Sequence, residues 1–165
     1  AKDVAVEVHT CSKTFNMAGW RVGFVVGKKE FIDAIFALKV NFDYGTSMIM
    51  QDAAIAAMKM PYKYVEATMK KYEKRRNYMI EEFEGLGWHV HKSDATMYLW
   101  LKVPSGRKSR EFCKSVMDKT GVVFTPGVAF GALSDGYFRV SLVQDEKRLK
   151  EAVKRLKVAN IRYEE

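Results

Sequence analysis

A chain of 165 residues, 48% hydrophobic and 29% charged, is long enough for one domain or two small lobes and has the composition of an ordinary globular protein. No run approaches the roughly 18 apolar residues of a membrane span, two cysteines are too few for a disulfide framework, and no Cys/His spacing suits zinc. A net charge of +8 raises the question of nucleic acid, but the lysines are spread along amphipathic segments, so neither nucleic acid nor membrane is the expected partner, and the surplus suits small anionic ligands.

The opening stretch "AKDVAVEVHT" carries Lys2, Asp3 and Glu7 and no leader-type apolar core, so a cytoplasmic location is expected. Within it "VAVEVHT" (4–10) reads as a short strand. "WRVGFVVG" (20–27) is nearly all apolar and reads as a buried strand. Phe31, Ile35 and Leu38 then fall at helical spacing over 29–40. "NFDYGTS" (41–47) reads as a loop, with Thr46 or Ser47 capping a helix that Pro61 ends.

Residues 62–86 form the longest periodic segment: Val65, Met69, Tyr72, Met79, Phe83 and Leu86 make one stripe, stopped by Gly85 and Gly87. "WHVHK" (88–92) and "MYLWLKV" (97–103) alternate with period two and predict strands. A helix over 109–120 ends at Gly121, "VVFTP" and "YFRVSLV" predict two more strands, and residues 145–157 predict a last helix with Asp145 as N-cap. The order predicts a mixed α/β fold whose two parts, 1–72 and 73–165, meet inside the long helix. His9, His89 and His91 lack dependable ligand spacing, and Cys11 and Cys113 read as packing thiols, so no metal is expected.

The stretch with chemical content is "TCSKTFNMAGWRVGF" (10–24). A lysine becomes a nucleophile when its pKa falls and it is held still. A strand running into a tight polar turn holds Lys13 between the hydroxyls of Ser12 and Thr14, and such a turn cradles phosphate. Arg21 adds a permanent planar cation suited to bidentate phosphate binding. These are the parts needed to hold a phosphorylated aldehyde, and pyridoxal phosphate is that cofactor.

The stretch resembles the lysine motif of the class I/II (fold type I) pyridoxal-phosphate-dependent aminotransferases, S-x-S-K-x-x-x-x-x-G-x-R-x-G. The resemblance makes Lys13 the Schiff-base lysine and catalytic base, Thr10 and Ser12 the hydroxyls of the pattern, and Arg21 the phosphate arginine, with Gly19 and Gly23 in register. Thr10 departs from the usual serine but keeps the hydroxyl. "NFDYGTSMIMQDAAIAAM", "DATMYLWLKVP" and "GVVFTPGVAFG" followed by "GYFRVSLV" are similar to later family segments, the last of which carries the arginine that grips the substrate α-carboxylate, here Arg139. On a strand, Arg139 shares a face with Tyr137 and Ser141, and an arginine in an apolar strand needs an anion. The resemblance also brings Tyr44 to a loop that, in family dimers, approaches the neighbouring subunit's cofactor.

The resemblance implies the end of the large-domain sheet, a long linking helix and the small C-terminal α/β domain of a homodimeric enzyme acting on an amino acid and a 2-oxo acid. It is strongest toward the aspartate, alanine and LL-diaminopimelate aminotransferases. The family's ring-nitrogen aspartate, ring-stacking aromatic and glycine-rich phosphate turn have no counterpart in these 165 residues, so the chain is expected to be a C-terminal part, inactive alone. The alternatives are a pyridoxal-phosphate-dependent β-lyase, an enzyme like aminocyclopropane-carboxylate synthase, and a non-catalytic basic interaction lobe.

Overall fold

The computed structural model describes residues 3–163; Ala1, Lys2, Glu164 and Glu165, at the ends of the two expected parts, lie outside the described residues. The chain divides into two compact units, Ala1–Ala67 and Thr68–Glu165.

In the first unit, β1 (Val6–Thr10) and β2 (Gly23–Gly27) form an antiparallel ladder that runs from Val6 opposite Gly27 to Thr10 opposite Gly23. Between them lie a one-turn helix α1 (Cys11–Thr14) and a 3-10 turn at Ala18–Trp20. Gly23 is required by close approach, since a Cβ there would strike the backbone oxygen of His9. Helices α2 (Lys29–Phe42) and α3 (Met48–Lys59) follow. Ser47 is the N-cap of α3 but its hydroxyl makes no capping bond; Gln51 instead donates to the carbonyl of Thr46 at 2.7 Å. Met60, held extended as the residue before Pro61, ends the helix.

The expectation of a buried second strand is corrected: Phe24 and Val26 of β2 are 40% and 46% exposed. A two-stranded ladder covers neither of its own faces, and α2 contributes no buried residue to it. The small core of this unit lies under the β1–β2 loop, where Cys11, Met17 and Val22 meet Ala54 and Ala57 of α3.

The second unit takes its first element from α4 (Lys63–Glu84), the long helix. Met79 and Phe83, with Leu86 just beyond the helix, enter a core shared with a three-stranded antiparallel sheet. Its strands are β3 (Tyr98–Lys102), β4 (Thr125–Pro126) and β5 (Tyr137–Ser141), in the order β3-β5-β4. Helices α5 (Ser109–Thr120) and α6 (Glu146–Val158) add Phe112, Val116, Leu149, Val153 and Leu156. Asp145 caps α6 by accepting from the Arg148 N–H at 2.8 Å.

Two strand expectations are corrected here. Residues 88–92 pair with no strand, yet Trp88 and Val90 are buried while His89 and His91 are exposed; the alternation comes from an extended segment laid on the core, pinned where the Trp88 indole donates to the Lys102 carbonyl at 2.9 Å. "VVFTP" pairs only through Thr125 and Pro126, and Pro126, with no N–H to donate, closes the ladder at its C-terminal end.

Candidate active site

Strand β1 delivers Thr10 to the start of α1 in an extended conformation. Its Oγ1 accepts the Ser12 N–H at 3.1 Å and donates to the Ser12 hydroxyl at 2.8 Å. The Cys11 N–H donates to the Val22 carbonyl at 3.2 Å and closes the loop above the ladder. Lys13 follows on α1, exposed in this unit. The backbone reverses at Asn16 and Arg21, both in the left-handed region at φ 54 and φ 49, a strained choice for residues with a Cβ that costs on the order of 1 kcal/mol each. The Arg21 guanidinium donates through Nη1 to the Ala18 carbonyl at 2.9 Å.

Thr10, Ser12, Lys13 and Arg21 are thus brought onto one loop, anchored from beneath by the fully buried Cys11. Among the described residues no carboxylate lies within ion-pair distance of Lys13 or Arg21. Two hydroxyls and two unpaired cations form a donor set that fits a phosphorylated aldehyde: cation and hydroxyl donors for the phosphate, an amine for the carbonyl carbon. Tyr44 belongs to the same unit and is 91% exposed, at φ 56. With Gly23, Phe24, Phe36, Gln51 and Met58 it lines an open cleft of about 480 Å³.

Arg139 belongs to the second unit and sits mid-strand in β5, between the buried Phe138 and Val140. Trp100 and Thr125 are its cross-strand partners. The guanidinium carbon lies 4.2 Å from the ring centroid of Tyr98 and 4.7 Å from that of Phe130, and Nη2 donates to the Thr125 hydroxyl at 3.5 Å. Nε is buried without a hydrogen-bond partner, and among the described residues no carboxylate pairs with this side chain. A partly buried cation with an unsatisfied donor suits an incoming anion.

Motif reading alone missed Tyr98 and Phe130. Tyr98 is the diagonal neighbour of Arg139, opposite Ser141, a relation that exists only once the register is known. Phe130 comes from a 3-10 turn, Gly127–Phe130, with no periodic signal.

Comparison with known proteins places these features in context. Residues 1–156 match the family description "Aminotransferase class I and II". An LL-diaminopimelate aminotransferase from Aquifex aeolicus is 45% identical over 157 residues, covering 95% of this chain and 41% of its own length. LL-diaminopimelate aminotransferase 2 from Nostoc sp. is 43% identical over 163 residues, 99% of this chain and 42% of its own. A solved aminotransferase from Staphylococcus aureus superposes with a TM-score of 0.91 at 32% identity, over 99% of this chain and 43% of that one. The chain therefore spans about two fifths of the length of the curated relatives it matches.

Proposed function

The chain belongs to the class I and II aminotransferases, and from that premise we propose that it is the C-terminal part of a pyridoxal-phosphate-dependent enzyme that moves an amino group from an amino acid to a 2-oxo acid. The observation that carries this reading is the β1–β2 loop, which carries Thr10, Ser12, Lys13 and Arg21 with no ion-paired carboxylate on either cation among the described residues. Arg21 and the hydroxyls of Thr10 and Ser12 hold the phosphate, and the Lys13 amine anchors the cofactor. When bound, the cofactor supplies an electron sink for the substrate's Cα. Once its amine is free of the cofactor, Lys13 would be the base that takes the proton from the substrate's Cα and hands it to the cofactor's aldehyde carbon. Arg139 holds the substrate α-carboxylate, with the rings of Tyr98 and Phe130 limiting the directions from which the anion arrives.

Residues 1–72 are read as the end of the cofactor-binding domain and 73–165 as the small domain. The complete enzyme is a cytoplasmic homodimer in which Tyr44 reaches the neighbouring subunit. The relatives named for LL-diaminopimelate support an amino-acid substrate of that kind. The test is borohydride reduction of the complete enzyme loaded with cofactor, followed by peptide mapping. The tag is expected on Lys13, and Lys13→Ala is expected to lose the half-reaction while remaining folded, because the exposed side chain contributes nothing to the core. A tag on another lysine overturns the assignment.

A further inference from the structure

Ser109 is fully buried, one of two buried polar residues, with Thr120, among the described residues of the second unit. Its hydroxyl donates to Asp135 Oδ1 at 2.6 Å and accepts the Val128 N–H at 3.2 Å. Its own N–H, at the start of α5, is shared between Asp135 Oδ1 at 3.1 Å and the Asp135 carbonyl at 3.0 Å. One side chain therefore ties together the first turn of α5, the 3-10 turn that begins at Gly127, and the residue that leads into β5. The middle of that segment is held as well: the Gly131 N–H donates to the Val128 carbonyl at 3.2 Å, and Gly127 packs so closely on the Ser134 and Tyr137 carbonyls that only glycine fits.

Two residues after Val128 comes Phe130, whose ring covers one face of the Arg139 guanidinium. Phe130 is itself 49% exposed, so burial alone does not fix it. From these contacts we infer that Ser109 and Asp135 are positioning residues: their hydrogen bonds hold the 127–130 turn so that Phe130 stays over Arg139 and the guanidinium keeps the orientation in which it meets a substrate carboxylate. A buried hydroxyl with its donor and acceptor both used is sensitive to removal, because the Val128 N–H and the Asp135 carboxylate, both only partly buried, then each lose a fixed protein partner. The inference rests on the reading of Arg139 as the carboxylate grip.

The experiment uses the complete enzyme with cofactor. Ser109→Ala is expected to raise KM for both the amino acid and the 2-oxo acid about tenfold, with kcat changed less than about threefold and cofactor affinity unchanged. Asp135→Asn, which keeps the accepting oxygen, is expected to retain a near-native KM, whereas Asp135→Ala reproduces the Ser109→Ala loss. In an Arg139→Ala background the Ser109→Ala change is expected to add nothing, since it acts through the arginine. A native KM in Ser109→Ala, with KM raised in Arg139→Ala, overturns the positioning role alone. A native KM in Arg139→Ala overturns the carboxylate reading beneath it. Losses that add in the double variant overturn the coupling. If Ser109→Ala fails to fold, the contrast between Asp135→Asn and Asp135→Ala decides the matter: equal KM values for those two overturn the role.

Discussion

The guanidinium of Arg139 rests 4.2 Å from the ring of Tyr98, its diagonal neighbour across the β3–β5 ladder, and not beside an acid among the described residues. A cation stacked on an aromatic face keeps its in-plane N–H edge free. The unpartnered Nε belongs to that edge. Arg139→Ala in the complete enzyme should therefore lower kcat/KM roughly 100-fold or more, mainly through KM, with cofactor binding unaffected. Steady-state kinetics with both substrates check this.

Gly127 offers a stability test that is independent of catalysis. A Cβ at this position would overlap the backbone oxygens of Ser134 and Tyr137, neither of which is the movable end of a side chain. Gly127→Ala should destabilise the second unit by about 3 kcal/mol. Gly136, where a Cβ meets nothing within 4 Å, is the matched control and should lose much less. Denaturant titration of both variants compares them.

The cysteines should be silent. Cys11 is fully buried, and burial pushes the Cys113 thiol up to about 11 from its ordinary 9.0. Neither thiol should react with an aromatic disulfide reagent at neutral pH until the protein unfolds. The linkage has a definite sign. Cys113 ionises more easily in the unfolded chain, so its contribution to stability is complete below pH 9 and declines as pH rises from 9 toward 11.

At the acid end four carboxyls act the other way, Asp43 among them, held low by the Lys39 ammonium. The Ser109 hydroxyl holds Asp135 low, the Lys74 ammonium holds Glu146 low, and Arg155 does the same for Glu151. Each stabilises the fold above its ordinary value, and that stability is lost as pH falls through the depressed folded value. Thermal melts should drop progressively below about pH 4.

The 165-residue chain by itself should self-associate and turn over no substrate. Phe36, Leu38, Phe42 and Ile49 are 67%, 75%, 91% and 73% exposed, and β1 is exposed along its whole length. Apolar surface on this scale, next to unpaired strand edges, favours association in water. Sedimentation velocity with a parallel transamination assay checks both halves. A monodisperse monomer that transfers amino groups would contradict them.

Features under short-range control were legible in the chain alone. Helix positions followed from the 3.6-residue stripe of α4 and α6, the N-cap at Asp145 from its side chain, and the composition of the lysine loop from motif spacing, because each depends only on residues a few positions apart. Whether an alternating segment is a strand depends on a partner that sequence does not name. Residues 88–92 alternate correctly and join no ladder: Trp88 and Val90 bury their side chains, while the Trp88 N–H turns back to the Phe83 carbonyl at 3.0 Å rather than to a neighbouring strand. The burial of β2 misread for a related reason: an apolar run records that it needs a cover, while the cover must come from elsewhere in space. The surroundings of Arg139 were settled by tertiary structure alone. Tyr98, Phe130, Ser109 and Asp135 come from segments up to 41 positions away in the chain, and only the ladder register and a buried hydroxyl's need for two partners bring them to one place.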